Sequence, residues 1–446
     1  MASPSSGAPH VVIVGAGFAG LATARTLGSS SETRVTVIDR RNYHLFVPLL
    51  YQVATATLSP ADIAEPIRHI LWRHENVEVR LGEVTGVDVV RREVILAGGD
   101  RVPYDYLVLA TGSSQSYFGH PGWERFAPGL KTIEDAREIR ARVLMNFELA
   151  ENSRDPEEQR RLLTIVIVGG GPTGVEMAGA LAELTRRSLA RDFRHINPRT
   201  ASIMLVEAGP RILPTFPEEL SAYAKTDLEG QGVTVLTNTA VEDVTDKGVV
   251  LRGSFYPAGA VIWGAGVAAS PAGRWLGVET DRAGRVKVAA DLSVPGLSNV
   301  YVLGDTALAE GDDGTPLPGL AQVAKQQGEY LGRALLKRIR HGAPPEPFRF
   351  KSRGNTAIVG RNAAVFDFGR RRFKGLLAWL LWGIVHVFLL VGFENRVVVS
   401  IQWLWAYLTD QRGARLITAE RKMPPEPAAK PVPQPAVVAP EAAERR

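Results

Sequence analysis

Residues 10–39 read HVVIVGAGFAGLATARTLGSSSETRVTVID, and this stretch decides the first part of the fold. The apolar run at 10–14 predicts a buried strand, residues 18–28 predict a helix, and residues 33–39 predict a second strand. Glycines with the spacing G-x-G-x-x-G join the first strand to the helix. A strand, a glycine turn, a helix and a strand in this order are typical of a dinucleotide-binding βαβ unit.

The three glycines of this turn each meet a different physical requirement. Gly15 permits a tight turn, Gly17 lets the backbone approach a pyrophosphate, and Gly20 lets the helix pack close to the strand. Asp39 ends the second strand about 20 residues after the turn, where a carboxylate accepts hydrogen bonds from a ribose. The predicted cofactor contacts in this unit are Gly15, Ala16, Gly17, Phe18, Ala19, Gly20, Asp39 and Arg40.

The same pattern returns in residues 164–207, which read TIVIVGGGPTGVEMAGALAELTRRSLARDFRHINPRTASIMLVE. Glu207 ends the second strand of this unit, but a basic insertion at 186–200 places it farther from its glycine turn than Asp39 is from the first one. An acid at this position favours NADH over NADPH, whereas nearby Arg211 leaves NADPH open. The predicted contacts of this second unit are Gly169, Gly171, Thr173, Gly174, Glu176 and Glu207.

The composition excludes several classes of function. The chain has 446 residues, enough for about three domains. It has no cysteine, so it cannot carry a disulfide framework, a thiolate zinc site, a cysteine-ligated iron–sulfur cluster or a cysteine nucleophile. The histidines are scattered, and we expect no metal site. Residues 361–374 hold five cations and one anion, but no nucleic-acid-binding motif accompanies them, so we expect no nucleic acid partner.

Three further segments place the two units in a known context. Ala110-Thr111-Gly112 follows an apolar run, Trp263-Gly264-Ala265-Gly266 follows another, and residues 301–305 read YVLGD. With the two glycine turns, this set resembles the two-dinucleotide flavoproteins of the pyridine nucleotide oxidoreductases. The resemblance implies that Asp305 binds the ribityl chain of a flavin. It also adds, as predicted cofactor contacts, Val84, Thr111, Gly112, Gly264, Gly266, Asp305, Gln322 and Val323.

A closer resemblance covers about residues 10–418. Residues 43–66 and 321–328, together with the apolar C-terminus, are similar to the type II NADH dehydrogenases, single-chain NADH:quinone oxidoreductases. The resemblance implies non-covalent FAD, NADH as substrate, a membrane quinone as acceptor and a homodimer. We also expect no proton pumping. The absence of cysteine agrees, because electrons must then pass from the flavin directly to an outside acceptor.

Three side chains are the predicted catalytic residues. Gln322 and Gln326 lie one helical turn apart at the start of a predicted helix, whose positive N-terminal dipole suits the edge of a flavin. Without the resemblance, a surface helix with incidental glutamines explains them equally well. Glu176 follows the second glycine turn, and the resemblance implies a proton relay to the quinone. Its alternative role is that of a carboxylate stabilising a helix N-terminus.

The C-terminal part contains an apolar run at 375–393, GLLAWLLWGIVHVFLLVGF, without a formal charge apart from a possible one on His386. Such a run would form about 28 Å of helix, close to the thickness of a bilayer core. The more amphipathic stretch 397–409 follows it. Hydropathy favours one spanning helix, whereas the resemblance favours helices that lie in the membrane interface, and we expect the second arrangement. A buried core or dimer helix remains a third alternative.

The sequence therefore predicts an α/β fold with two Rossmann-like dinucleotide-binding domains and a C-terminal membrane-associating helical module. We expect the protein on the cytoplasmic face of the cell inner membrane. Two alternatives remain, a soluble NADH-dependent reductase of a small electron-carrier protein and a non-catalytic NADH-sensing flavoprotein. The predicted parts are a disordered leader at 1–9, an FAD-binding domain at 10–124 and 267–342, an NADH-binding domain at 125–266, the C-terminal module at 343–419 and a disordered tail at 420–446.

Overall fold

The computed structural model describes residues 7–418. The predicted disordered tail at 420–446, and residues 1–6 of the predicted leader, lie outside the described residues. Residues 7–9, the rest of the predicted leader, are described and lie directly before the first strand.

The first glycine turn lies at the carboxyl edge of a six-stranded sheet. The first strand of the chain, His10–Val14, is central and pairs in parallel with neighbours on both sides. Its side chains are fully buried, which explains why the strand is apolar at every position after His10. In spatial order the strands are Ser293–Val294, Leu297–Val302, Tyr106–Leu109, His10–Val14, Arg34–Asp39 and Val77–Leu81.

Two helices pack tightly together on this sheet, Phe18–Leu27 and the long helix Ala321–His341. A Cβ atom on Gly328 would lie 2.2 Å from the carbonyl oxygen of Ala19. Glycine is therefore required there for the two backbones to approach. This contact brings the start of the long helix to the first glycine turn.

The second glycine turn lies at the carboxyl edge of a separate four-stranded parallel sheet. Its strands, in spatial order, are Val233–Leu236, Ser202–Val206, Thr164–Val168 and Ala260–Trp263. The helix after the turn is Pro172–Glu183 and continues as a π-helical turn to Ser188. Two three-stranded antiparallel sheets accompany the parallel ones, Val84–Asp88 with Glu93–Leu96 and Arg101–Pro103, and Val241–Thr245 with Gly248–Leu251 and Ser254–Pro257.

Shorter elements complete the two domains. The remaining two-stranded pairs are Tyr43–Leu45 with Ala64–Pro66, Ser113–Gln115 with Val267–Ala269, and Val286–Lys287 with Ala307–Leu308. The other α-helices before residue 321 are Leu50–Ala54, Ile67–Leu71, Ile133–Asn152, Pro156–Leu162, Glu218–Gly230 and Ala272–Leu276. The polar composition of residues 151–160 predicts a linker, but the Pro156–Leu162 helix begins within them. The side chain of Asp155 caps this helix by accepting a hydrogen bond from the Glu157 N–H at 3.0 Å.

The C-terminal module is not purely helical as predicted, because it begins with a three-stranded antiparallel sheet. Its strands are Asn355–Gly360, Ala363–Asp367 and Arg372–Lys374. A Cβ atom on Gly179 would lie 1.9 Å from the carbonyl oxygen of Val359, so this sheet packs directly on the Pro172–Glu183 helix. Val359 and Phe366 share one hydrophobic core with Ile165 of the second domain. The module is thus an extension of that domain.

Two helices end the module, Leu376–Leu389 and Phe393–Thr409, which we call the C-terminal helix pair. Among residues 7–418, no helix is long and apolar enough to cross a membrane. The alternative of one spanning helix at 375–393 is therefore wrong. The first helix measures about 21 Å against a bilayer core of about 30 Å. It ends at Leu389, and Gly392 adopts a left-handed conformation (φ 86°) that redirects the chain.

Candidate active site

A cavity of about 2130 Å³ joins the first glycine turn, the start of the long helix, the second domain and the C-terminal helix pair. The predicted site residues in its walls are Gly15, Ala16, Gly17, Phe18, Ala19, Asp39, Arg40, Val84, Thr111, Gly112, Thr173, Glu176, Asp305, Gln322 and Gln326. Those outside its walls are Gly20, Gly169, Gly171, Gly174, Glu207, Gly264, Gly266 and Val323. The structure therefore brings most predicted contacts of the first unit and all three predicted catalytic residues around one space, whereas of the predicted contacts of the second unit only Thr173 and Glu176 line its walls.

The first glycine turn fits the pyrophosphate of a dinucleotide such as FAD. Gly15 has a φ of 97°, and a Cβ atom there would lie 2.4 Å from the Ala110 carbonyl oxygen. A Cβ atom on Gly20 would lie 1.8 Å from the Gly15 carbonyl oxygen, so helix and strand pack too closely for any side chain. No atom lies within 4 Å of the corresponding position on Gly17. Gly17 precedes the helix without a side-chain cap, and Gly17, Phe18 and Ala19 line the cavity, so an anion can bind at this helix N-terminus.

The second glycine turn repeats each of these features. Gly169 has a φ of 104°, and a Cβ atom on Gly174 would lie 1.8 Å from the Gly169 carbonyl oxygen. Gly171 begins the Pro172–Glu183 helix without a side-chain cap and has open space at its Cβ position. Two turns of identical construction imply two dinucleotide sites.

The acids at the strand ends occupy equivalent positions. Asp39 accepts a hydrogen bond from the N–H of Ala16 at 2.7 Å, and Glu207 accepts one from the N–H of Gly170 at 2.6 Å. The longer spacing to Glu207 does not matter, because the inserted residues leave the strand ladder intact. Arg211 donates to the carbonyl oxygens of Phe216 at 2.7 Å and of Pro214 at 2.8 Å. Its guanidinium is therefore engaged in its own loop, which favours NADH over NADPH.

Asp305 lies in a polar cluster that the sequence did not reveal. The hydroxyl of Ser113 donates to Asp305 at 2.8 Å, and Lys131 donates to the same hydroxyl at 3.3 Å. Burial lowers the pKa of Lys131, and the negative charge of Asp305 opposes that shift. Ser113 and Lys131 both line the cavity. They belong to loops and edges without a motif, so no sequence signal identified them.

The two predicted catalytic glutamines are both held by the main chain of residues 351–354. The amide of Gln322 donates to the Gly354 carbonyl oxygen at 2.9 Å and accepts from the Arg353 N–H at 3.0 Å. The amide of Gln326 bonds Lys351 in the same two ways, at 2.9 and 3.1 Å. These amides thus fasten the C-terminal module to the long helix beside the cavity. Their predicted catalytic role stays a prediction.

Glu176 lies in the second turn of its helix and lines the cavity. Burial raises the pKa of Glu176 to about 8, although a hydrogen bond with the backbone of Ile358 opposes the shift. The carboxyl group is therefore largely protonated at pH 7. Burial and the proximity of Glu176 also raise the pKa of Tyr51 well above its usual value. The amide of Gln52 donates to the Tyr51 hydroxyl at 2.9 Å.

The C-terminal helix pair forms the apolar end of the cavity. Its wall there includes Ile384, Val385, Phe388, Leu389 and Val391, with Phe46 opposite. His386 also lines this end and donates from Nδ1 to the Trp382 carbonyl oxygen at 2.8 Å. Burial lowers the pKa of His386 to about 4, so the ring is neutral at pH 7.

The outer faces of the helix pair expose large apolar side chains. The exposed residues of the first helix are Leu376, Leu377, Leu380, Ile384 and Phe388. Those of the second are Val397, Ile401, Leu404, Trp405 and Leu408. Leu376, Leu380, Ile384 and Phe388 recur every four residues. In the second helix, Val397, Ile401, Leu404 and Leu408 recur every three or four residues, so each helix carries one continuous apolar stripe.

Comparisons with known proteins agree with this geometry. The family model for pyridine nucleotide-disulphide oxidoreductases matches residues 9–328. The type II NADH:quinone oxidoreductase Ndh of Mycobacterium tuberculosis is 41% identical over 426 residues, which cover 92% of this chain and 91% of that protein. An internal alternative NAD(P)H-ubiquinone oxidoreductase of Arabidopsis thaliana mitochondria is 31% identical and covers 92% and 86% of the two chains.

Solved structures agree at the level of the fold. NDH2 of Plasmodium falciparum in complex with NADH superimposes with a TM-score of 0.83 at 23% identity, covering 92% of this chain and all of that one. The sulfide:quinone oxidoreductase of Aquifex aeolicus superimposes with a TM-score of 0.67 at 20% identity, covering 93% of each chain. With the two glycine turns, the shared cavity and the full-length relatives, the chain belongs to the pyridine nucleotide-disulphide oxidoreductase family and, within it, to the type II NADH:quinone oxidoreductases.

Proposed function

We propose that the cavity described above is where this protein oxidises NADH and reduces a quinone, the activity for which its family is named. The observation that carries the proposal is the continuity of this space. It extends from the first glycine turn past Glu176 to the apolar end at the C-terminal helix pair. FAD, when bound, accepts the hydride of NADH and supplies two electrons to the quinone. We propose that this activity does not include proton pumping.

The residues that would hold the two dinucleotides are those of the glycine turns. Gly17 leaves room for the pyrophosphate of FAD, and the Ser113-bonded carboxylate of Asp305 has further acceptor positions for the ribityl hydroxyls. Gly171 and Glu207 would hold NADH in the equivalent way. With these assignments, the pyrophosphate of each dinucleotide lies at the positive N-terminal end of a different helix.

Glu176 is positioned to hold a proton inside the cavity. Its raised pKa keeps the carboxyl protonated near neutral pH, as a proton donor requires. Polar contacts connect the neighbourhood of Glu176 to the C-terminal helix pair. The amide of Gln52 donates to the Tyr51 hydroxyl and accepts from the indole N–H of Trp403, which lies in the second helix of the pair, at 2.7 Å. We propose that this cluster delivers protons to the quinone site.

The quinone site that we propose lies at the apolar end of the cavity. Phe46, Ile384 and Phe388 form an apolar wall there that suits a quinone ring and its tail. The amide of Gln322 retains one N–H beyond its bond to Gly354, and this N–H is available to a quinone carbonyl.

We propose that the C-terminal helix pair lies in the membrane interface with its two apolar stripes towards the lipid. A membrane-soluble quinone would then enter the cavity directly from the bilayer. The position on the cytoplasmic face of an inner membrane and the homodimer stay predictions.

The decisive experiment is steady-state oxidation of NADH, with NADPH in parallel, by the FAD-loaded protein with a short-chain quinone. We expect fast turnover with NADH, slow turnover with NADPH, and no effect of uncouplers in vesicles. Fast reduction of the bound flavin without quinone turnover would contradict the proposal. It would instead favour a protein acceptor or a sensing role.

A further inference from the structure

A second cavity, of about 690 Å³, lies beside the larger one. Four distant parts of the chain form its walls: Arg25 in the last turn of the first helix, residues 65–74, Lys325 of the long helix, and residues 388–396 at the break of the C-terminal helix pair. We call it the basic pocket. It shares Arg25, Lys325, Phe388, Leu389 and Val391 with the larger cavity, so the two are neighbours at the proposed quinone entrance.

The basic pocket has an excess of positive charge. Its walls contain four cations, Arg25, Arg73, Lys325 and Arg396, and one carboxylate, Glu65. The amide of Asn395 donates to Glu65 at 2.9 Å, and His69 lies 3.6 Å from the same carboxylate, so Glu65 is already engaged.

Within residues 7–418, three of these cations have no anionic partner. Among the described residues, no hydrogen bond or ion pair involves the side chains of Arg25, Arg73 or Lys325, although Arg73 stacks on Trp72 at 5.1 Å. Unpaired cations around one cavity favour an anion with several acceptor oxygens.

The frame of the pocket is held in place by buried contacts. His74 bonds the Gly28 carbonyl oxygen through Nδ1 at 2.9 Å, and the buried amide of Asn76 donates to Ser30 at 2.8 Å and Thr33 at 3.0 Å. Arg396 donates from Nε to the Leu390 carbonyl oxygen at 2.9 Å, which closes the turn between the paired helices. The cations therefore project from fixed backbone, and little ordering is needed when a ligand binds.

One side of the pocket is apolar and continuous with the lipid-facing stripe. Phe388 lines the pocket and is 70% exposed, and Leu389 lies next to it. A ligand of this site thus meets cations at one end and an apolar helix surface at the other. That is the charge pattern of a phospholipid with an anionic headgroup.

We propose that the basic pocket binds the phosphate headgroup of an anionic phospholipid, whose acyl chains lie along Phe388 and the C-terminal helix pair. The proposal rests on the membrane association proposed above. A lipid bound here would orient the protein on the bilayer, with the quinone entrance directed at the acyl chains.

The test measures binding of the full-length, FAD-loaded protein to vesicles of phosphatidylcholine with or without phosphatidylglycerol. The pocket variant is R25Q/R73Q. The matched control is R68Q/R371Q, which removes two exposed arginines that line neither cavity. At low salt each cation near an anionic surface contributes about fivefold to binding wherever it lies, so both variants weaken binding. The decisive measurement is made at about 0.5 M NaCl, where salt screens the attraction between charges that are more than about 4 Å apart. Only direct contacts with the headgroup then contribute.

At high salt we expect the wild type and R68Q/R371Q to retain at least about a fivefold preference for the anionic vesicles. We expect R25Q/R73Q to bind both vesicles equally, with unchanged flavin content and melting temperature. Equal losses in the two variants, or no preference of the wild type at high salt, would overturn the proposal. Abolition of the preference by millimolar inorganic phosphate would assign the pocket to free phosphate instead. Failure of the wild type to bind any vesicle would refute the membrane association itself.

Discussion

Glu207 accepts a hydrogen bond from the N–H of Gly170 at 2.6 Å, inside the second glycine turn. Asp39 bonds Ala16 in the same way in the first turn, at 2.7 Å. In each unit the acid thus fixes the turn and places a carboxylate beside it. A carboxylate has about four acceptor positions, so each acid can also accept hydrogen bonds from a ribose.

Substituting these two acids is expected to affect the binding of NADH and of FAD separately. Glu207→Gln should raise the KM for NADH about tenfold, because a charge-assisted hydrogen bond to the ribose is lost, and should reduce the preference for NADH over NADPH. Asp39→Asn should instead lower the FAD content of the purified protein. Steady-state kinetics and flavin absorbance measure both effects. A loss of FAD from the Glu207 variant would contradict the assignment of the second turn to NADH.

Replacing two glycines of the first turn by alanine is expected to have two different effects, one on stability and one on FAD binding. Gly20→Ala forces a methyl group against the Gly15 carbonyl oxygen and should destabilise the fold by about 1–3 kcal/mol or more. Gly17→Ala has free space and should fold with a nearly unchanged melting temperature, yet bind FAD more weakly because the methyl group occupies the approach to the pyrophosphate. Thermal unfolding and FAD titration test the pair. Equal melting temperatures for the two variants would refute this reading of the turn.

The raised pKa of Glu176 predicts a specific pH dependence. The carboxyl holds its proton below about pH 8 and loses it above. If it donates that proton to the quinone, kcat with a short-chain quinone should fall as the pH rises through about 8. Glu176→Gln cannot donate, so it should be at least about tenfold slower and lack this limb of the profile.

Reduction of the bound flavin by NADH serves as the internal control for Glu176→Gln. This half-reaction needs no proton from Glu176 and should stay within about twofold of the wild-type rate, measured by stopped flow without quinone. If the variant kept the wild-type pH profile with quinone, Glu176 would have only a structural role.

The apolar stripes of the C-terminal helix pair predict a variant with weaker membrane binding. Ile401 and Leu408 are 62% and 70% exposed and lie outside the active-site cavity. I401Q/L408Q should therefore lower partitioning into neutral vesicles at least about tenfold, because two apolar side chains no longer enter the interface. The matched control V90Q/F255Q changes two exposed apolar residues far along the chain and should partition like the wild type. Equal partitioning of both variants would place the membrane contact elsewhere.

The sequence by itself determined the two dinucleotide-binding units. Their glycine requirements arise within one strand, one turn and one helix, so Gly15, Gly20, Gly169 and Gly174 are identifiable from spacing alone. The pattern of apolar residues also predicted the strands and helices of these two units. These features depend on residues that are close together in the sequence, so the sequence pattern is sufficient to predict them.

Only the tertiary structure decided which distant side chains meet. Arg412 is 5% exposed and lies 3.0 Å from Glu183, and it also donates to the Thr55 carbonyl oxygen at 2.8 Å, a set of contacts that no motif predicts. Likewise, hydropathy suggested a spanning helix at 375–393, but the run forms only the Leu376–Leu389 helix. The turn closed by Arg396 on Leu390 follows it, and the next helix begins at Phe393. The first of these helices buries Trp382 and His386, whereas Ile384 and Phe388 stay exposed. A sequence pattern predicts that a side chain is buried, but not which part of the protein it packs against.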